Sequence, residues 1–134
     1  MKEIKTVLTE KLGIQYPIIA ACMQWISKAE LVAAVSEAGG LGVLSSSTFF
    51  TAEELRAEVK KVKSMTDKPF AVNITFLPAS FEPDFDGYIR VCKEEGVKII
   101  ETAGRIPSPE RIAAIKDAAF WMHKCTIVKH ALKA

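Results

Sequence analysis

Short apolar segments alternate along the chain with stretches whose apolar residues recur at helical spacing. Each apolar segment is rich in β-branched residues and short enough to be a β-strand, whereas each intervening stretch presents one apolar face. Strands that are apolar on both faces and joined by helices predict a parallel sheet buried on both sides. The five predicted strands are PIIAACM (17–23), LGVLSSS (41–47), PFAVNITF (69–76), VKIIETAG (97–104) and FWMHKC (120–125).

The starts of the predicted helices carry capping residues. The free N–H groups of a first helical turn need acceptors, and the S/T-x-x-E capping box supplies one. Ser27 with Glu30 and Thr51 with Glu54 fit this box, and Ser108 is placed to cap the fourth helix. These signals predict that strand, helix and strand alternate along the chain.

Two glycines mark predicted helix ends. Gly39 and Gly96 suit the left-handed position that follows a helix, which glycine adopts without steric cost. The surrounding segment AGGLG (38–42) is interpreted as a tight turn with close helix packing. Ligands of parallel α/β folds meet the opposite, strand-to-helix side.

Two architectures accept this order of elements. One is a five-stranded doubly wound sheet, and the other is a (β/α)8 barrel, which needs about 250 residues. In the second case residues 1–134 are a single partial barrel domain, a little over half of the barrel, with a fifth helix beginning at Thr126. A doubly wound receiver domain would need acidic residues after the first and third strands, where the sequence has Cys22, Met23 and Asn73. The sequence also lacks the GxGxxG and GxxxxGK[ST] motifs of nucleotide sites.

Composition excludes several classes of protein. The net charge is +2, from 18 basic and 16 acidic residues without a basic block, which disfavours nucleic acid as a partner. The 3 cysteines include no CxxC pair, so neither a disulfide framework nor a metal site is predicted. No apolar run reaches the roughly 20 residues of a membrane span, and the N-terminus lacks the apolar segment of a signal peptide. We therefore expect a cytoplasmic protein.

The strand sequences resemble those of one enzyme family. YPIIAACM, LVAAVSEAGGLGVL, PFAVNITF, VKIIETAGRIPSP and HKCTIVKHALKA are together similar to the nitronate monooxygenases, also called 2-nitropropane dioxygenases. The resemblance runs from about Leu12 to Ala134. The first two segments are also similar to the FMN-dependent enoyl-acyl-carrier-protein reductases.

The resemblance implies a TIM-type (β/α)8 barrel that holds FMN at the C-terminal ends of its strands. Such enzymes oxidise alkyl nitronates with O2 to a carbonyl compound and nitrite. The flavin carries the redox chemistry, while the protein orients it and sets the charge near its ring.

The family's cofactor contacts map onto specific positions of this sequence. Ala21, Cys22 and Met23 match the family's Ala-Pro-Met turn beside the flavin ring, with Cys22 in place of proline. Asn73 matches an asparagine that hydrogen-bonds the cofactor, and Lys124 matches a lysine whose charge favours the reduced flavin.

Glu101 is a further candidate at the flavin site. It lies near the end of the fourth predicted strand, where it could face the barrel lumen. A buried carboxylate is costly without a partner. The adjacent strand end carries Lys124, so we expect Glu101 and Lys124 to form an ion pair.

The resemblance implies that the catalytic histidine lies beyond Ala134, as do the main phosphate-binding turns. His123 alternates with Lys124 and is expected to face the helices, and His130 lies on the last predicted helix. Neither histidine is assigned a catalytic role. We expect weak flavin binding by the chain alone.

A half barrel is expected to leave its lumen-facing apolar side chains and outer strand edges uncovered. We therefore expect self-association or a missing C-terminal half. Two classes of function stay open, part of an FMN-dependent nitronate monooxygenase or a non-catalytic structural or flavin-binding remnant. Within the enzyme class, the alternative is an enoyl reductase that uses NADH or NADPH.

Overall fold

The protein folds as five parallel strands with helices between them. The structure, a computed structural model, describes residues 4–78 and 81–134. None of the described helices is long and apolar enough to cross a membrane. The helices are α1 (Val7–Leu12), α2 (Ala29–Glu37), α3 (Ala52–Met65), α4 (Phe85–Glu94), α5 (Pro109–Ala118) and α6 (Val128–Lys133), and the strands are β1 (Ile19–Ala20), β2 (Leu41–Ser45), β3 (Phe70–Phe76), β4 (Ile99–Gly104) and β5 (Phe120–Lys124).

The strand order decides between the two predicted architectures. The strand order in the sheet is β1-β2-β3-β4-β5, so strands that follow each other in the sequence are also neighbours in the sheet. All four neighbouring pairs are parallel. A doubly wound sheet reverses its strand order at a switch point, whereas consecutive order is that of a barrel. The sheet curls into half of a (β/α)8 barrel, which confirms that prediction and excludes the doubly wound alternative.

Side chains of the strands alternate between two apolar clusters. Val72 and Ile74 of β3 pack against the helices, in a large cluster with residues such as Leu55 and Val59 of α3. Ala71 belongs to a second cluster on the lumen face. The lumen cluster consists of Leu12, Ile14, Leu41, Val43, Ala71 and Ile99, with Leu8, Cys22 and Met122 packed against it.

Helix α1, which the sequence patterns did not predict, closes the N-terminal end of the lumen. Its residues Leu8 and Leu12 join the lumen cluster, and the capping box of Thr6 and Thr9 starts it. The expectation that lumen-facing apolar side chains stay uncovered is therefore wrong for the central strands, where Leu41 and Val43 are buried. Exposure remains at the terminal strands, at Ile19 of β1 and Phe120 of β5.

The predicted helix starts are correct in two of three cases. Thr51 Oγ1 accepts a hydrogen bond from Glu54 N at 3.2 Å, the carboxylate of Glu54 accepts one from Thr51 N, and Ser108 caps α5. The capping box at Ser27 is wrong, because α2 begins after Lys28. The carboxylate of Glu58, on α3, accepts from Ala29 N at 2.7 Å instead. A neighbouring helix thus supplies the acceptor that the local pattern assigned to Ser27.

The glycine predictions are confirmed. Gly39 and Gly96 adopt φ values of 91° and 66°, in the left-handed region. In the AGGLG turn, a Cβ on Gly42 would lie 2.2 Å from the carbonyl oxygen of Val32. The glycine therefore allows the backbone of α2 to pack directly on β2.

All five predicted strands are longer than the observed ones, by one or two residues for β2 to β5 and by more for β1. The first strand covers Ile19–Ala20 rather than 17–23, because the chain leaves the sheet after Ala20 and turns back on itself up to Ser27. The last helix has Ile127, not Thr126, as its N-cap residue.

Candidate functional site

Three polar side chains gather in the lumen toward the C-terminal ends of β3, β4 and β5. Strand register places Asn73 of β3 opposite Glu101 of β4. Lys124 of β5 lies opposite Ala103, which follows Glu101 by two residues on β4. Asn73 and Glu101 alternate with residues that pack against the helices, so both face the lumen. Ligands of parallel barrels bind at this end of the strands.

Glu101 and Lys124 form the ion pair that the sequence predicted. Lys124 Nζ lies 2.8 Å from Glu101 Oε1, and the Glu101 side chain is 8% exposed whereas that of Lys124 is 46% exposed. Burial opposes the charge of Lys124, but the hydrogen bond to Glu101 and its negative charge outweigh burial and raise the pKa of Lys124. The lysine therefore stays protonated at neutral pH.

Two buried polar atoms of this site have no partner within the described residues. Asn73 Oδ1 accepts a hydrogen bond from Thr75 Oγ1 at 2.7 Å, which leaves Asn73 Nδ2 unpaired. Glu101 uses Oε1 for Lys124 and leaves Oε2 unpaired. Buried donors and acceptors are nearly always satisfied in folded proteins, so such atoms suggest a ligand or water that completes them.

Cys22 lies close enough to this group to interact with its charges. Burial raises the pKa of the Cys22 thiol, Lys124 lowers it and Glu101 raises it. The thiol is therefore neutral at physiological pH. Its neighbours Ala21 and Met23 are exposed at the rim of the half barrel.

The turn after β1 is held to the segment after β2. Gln24 Nε2 donates to the carbonyl oxygen of Ser47 at 2.7 Å, and Trp25 N donates to Thr48 Oγ1 at 3.0 Å. Trp25 has a φ of 69°, which is unusual for a residue other than glycine. Residues with such strained backbone conformations cluster at binding and active sites. The tethers keep its indole at the rim, where it is 55% exposed.

An aromatic cluster at this rim was missed by the sequence predictions. The ring of Phe50 lies 6.1 Å from that of Trp25 and 4.8 Å from that of Phe81, between centroids. All three residues come from strand-to-helix connections. Their position after three consecutive strands is the signal that could have found them, because those connections line the ligand-binding face.

His123 lies on the helix-facing side of β5, and His130 lies on α6. His123 Nδ1 is 2.8 Å from Thr102 Oγ1, which also accepts from Trp121 Nε1, and Trp121 packs against the helix-side cluster. Burial and the charge of His130 lower the pKa of His123. The prediction that His123 faces the helices is confirmed.

Two cavities lie at opposite ends of the sheet. One of about 740 Å³ lies at the C-terminal ends of β4 and β5, where Lys124, His123 and His130 line it but Asn73 and Glu101 do not. Another of about 550 Å³ lies at the N-terminal ends, beside α1. In parallel barrels ligands bind at the C-terminal ends of the strands, whereas the N-terminal face serves stability. Residues 4–78 and 81–134 contain no cluster of His, Cys, Asp and Glu that could hold a metal ion.

These features define the chain as part of a (β/α) barrel with a group of polar side chains at the C-terminal ends of its strands. The sequence profile of one family, nitronate monooxygenase, matches residues 5–132. The chain belongs to the nitronate monooxygenase family, whose members are FMN-dependent oxidoreductases.

Individual proteins are similar to the chain over different shares of its length. A (3aS,4S,5R,7aS)-5-hydroxy-7a-methyl-1-oxo-octahydro-1H-indene-4-carboxyl-CoA dehydrogenase of Mycobacterium tuberculosis is 40% identical over 97% of the chain and 35% of the relative. A nitronate monooxygenase of Pseudomonas aeruginosa is 52% identical over 49% of the chain and 18% of the relative. The solved structure of FabK from Thermotoga maritima superposes with a TM-score of 0.80 and 33% identity, over 90% of this chain and 37% of that one. The chain thus spans about a third of the length of the first relative (35%).

Four of the six predicted site residues lie together in the structure. Asn73, Glu101, Lys124 and Cys22 come together at the lumen, whereas Ala21 and Met23 are exposed at the rim. Their role as cofactor contacts stays a prediction.

Proposed function

We propose that the chain forms part of an FMN-dependent oxidoreductase that oxidises alkyl nitronates with O2 to a carbonyl compound and nitrite. The observation that carries the proposal is the pair of unpartnered buried atoms, Asn73 Nδ2 and Glu101 Oε2, beside the cation of Lys124. The family match over residues 5–132 supports a flavin as the ligand of this site.

The donor set fits a flavin ring. Asn73 Nδ2 is free to donate a hydrogen bond to a ring carbonyl oxygen, and Lys124 Nζ offers a positive charge at the same strand ends. Bound FMN would supply the electron acceptor for the oxidation. A fixed cation favours negative charge that develops near it. Lys124 meets this requirement because its raised pKa keeps it charged.

The turn after β1 supplies the wall of the site. Ala21, Cys22 and Met23 follow β1 at the rim, and hydrogen bonds from Gln24 and Trp25 hold the turn in place. Because the Cys22 thiol is neutral, it presents a small, weakly polar surface to a ring. The exposed rings of Trp25 and Phe50 offer apolar surface to the alkyl part of a substrate.

The experiment uses the whole polypeptide that the gene encodes. We expect bound flavin in the visible absorption spectrum and nitrite release from propyl nitronate under air. The Lys124→Met variant should lower nitrite release, whereas Lys116→Met, on helix α5, serves as a matched control. A protein that takes up no FMN would contradict the proposal.

A second candidate is an oxidoreductase that acts on a coenzyme A thioester. It is favoured by the 40% identity to the carboxyl-CoA dehydrogenase, which extends over 97% of this chain. Turnover of CoA thioesters without nitrite release from nitronates would favour it. The enoyl reductase alternative requires that NADH or NADPH reduce the bound flavin, which stopped-flow absorbance measures directly.

A further inference from the structure

The unpartnered atoms of Asn73 and Glu101 are complementary to each other in chemistry. Asn73 Nδ2 is a donor and Glu101 Oε2 is an acceptor, and neither is bonded to the other. The two residues are register partners on β3 and β4, so they lie side by side in the lumen, one strand spacing of about 4.8 Å apart.

A second contact holds each of these side chains in place. Thr75 Oγ1 donates to Asn73 Oδ1 at 2.7 Å, which fixes the amide and leaves its nitrogen unpaired. Lys124 Nζ binds Glu101 Oε1 at 2.8 Å and leaves the other carboxylate oxygen free. Asn73 is 0% and Glu101 6% exposed, so bulk water does not satisfy either free atom. The lumen therefore presents one fixed donor next to one fixed acceptor.

This arrangement selects among ligands. A nitronate carries only acceptor oxygens and a negative charge, so its oxygens would suit Asn73 and Lys124 but would be repelled by Glu101 Oε2. A ring edge in which a carbonyl oxygen adjoins an N–H has an acceptor for Asn73 and a donor for Glu101. Imides and lactams have such an edge, and the pyrimidine ring of a flavin is an imide with an N–H at N3.

We propose that Glu101 binds the imide edge of a flavin, with Oε2 accepting the N3 hydrogen beside the ring carbonyl oxygen to which Asn73 Nδ2 donates in the proposed function. The inference rests on the proposed function for its choice of flavin. It gives Glu101 two positioning tasks, because one oxygen holds Lys124 and the other holds the ring.

The test compares FMN with 3-methyl-FMN, in which a methyl group replaces the N3 hydrogen. Binding to the apoprotein of the whole gene product is followed by quenching of flavin fluorescence. We expect 3-methyl-FMN to bind at least about tenfold more weakly than FMN, or about 1.4 kcal/mol. Glu101→Leu should remove this discrimination, and Glu101→Gln, which keeps an acceptor oxygen, should retain part of it.

An independent readout is the alkaline titration of the bound flavin. Loss of the N3 proton would place two negative groups together, so Glu101 should raise the pKa of N3 in the bound flavin above that in free FMN. Glu101→Gln should lower it again, as seen in the absorption spectrum. Thermal unfolding of each variant shows whether it is folded.

The outcomes separate the two proposals. Equal affinity for FMN and 3-methyl-FMN, with an unshifted N3 titration, would overturn the imide contact and leave the flavin function standing. That result would mean that water completes the two atoms. Failure of the folded wild-type protein to bind FMN would overturn both.

Discussion

Lys124 of β5 neutralises the buried carboxylate of Glu101 on β4, with 2.8 Å between Nζ and Oε1. The pair joins two neighbouring strands at the end of the sheet where ligands of parallel barrels bind. Its partners differ in exposure, with Glu101 almost buried and Lys124 half-exposed. Substitution of the two residues should therefore change the free energy of unfolding to different extents.

Removal of the lysine should be costlier than removal of both charges. Lys124→Met leaves the Glu101 carboxylate buried without its cation and should lower the free energy of unfolding by about 1–3 kcal/mol. In the double variant Lys124→Met/Glu101→Gln, most of the lost stability should be recovered, because no buried charge is left. Urea denaturation of the four proteins in the cycle measures the coupling. Strictly additive effects would show that the pair does not interact.

The Cys22 thiol should report on the same charges. Its pKa lies above the ordinary 9.0, mainly through burial, and Lys124 and Glu101 act on it in opposite directions. Lys124→Met should therefore raise this pKa further, and Glu101→Gln should lower it. The measurement is the pH dependence of iodoacetamide reaction in a Cys125→Ser background, where Cys92 stays silent because burial raises its pKa to about 12. Shifts in the same direction for both variants would contradict the assignment.

His123 should make stability depend on pH in mildly acidic solution. Burial and the charge of His130 lower its pKa below 6.5 in the folded state, so the unfolded chain binds more protons between the two pKa values. The free energy of unfolding should therefore fall as the pH drops through 6.5 and level off below the pKa of the folded state. Denaturation midpoints from about pH 7 to pH 5 test this expectation.

The histidine variants should change this pH dependence to different extents. His123→Gln should reduce the loss of stability at acidic pH. His130→Gln should reduce it less, because it removes the charge of His130 but not the burial of His123. A wild-type protein that gains stability on acidification through this range would show that the sign is wrong.

Gly42 should be intolerant of any side chain. A Cβ there would lie 2.2 Å from the Val32 carbonyl oxygen, so Gly42→Ala must push α2 away from β2 and should cost about 3 kcal/mol. Gly96→Ala is the matched control, because nothing lies within 4 Å of its Cβ position. Its left-handed φ of 66° should cost about 1–2 kcal/mol. Thermal unfolding that ranks Gly96→Ala as the more damaging change would contradict the packing argument.

Several features could be predicted because they depend on residues close together in the chain. The alternation of strands and helices follows from side-chain periodicity, and the capping box of Thr51 and Glu54 spans a single turn. The same periodicity assigned three polar residues to the ends of the predicted strands, namely Asn73, Glu101 and Lys124. The ion pair of Glu101 and Lys124 followed from the expected adjacency of two parallel strands.

Other features depend on contacts between residues that are distant in the chain. Glu58 accepts from the first turn of α2 across 29 residues, which no local pattern reveals. The same holds for α1, which fills the end of the lumen, and for the tethers that hold Trp25 in a left-handed conformation. The register that sets Asn73 beside Glu101 is decided by the packing of whole strands against helices. Local chemistry thus identified the strands and most of the caps, and together with the family resemblance it identified the polar residues of the site. The relative positions that leave one donor and one acceptor free in the lumen came from tertiary packing.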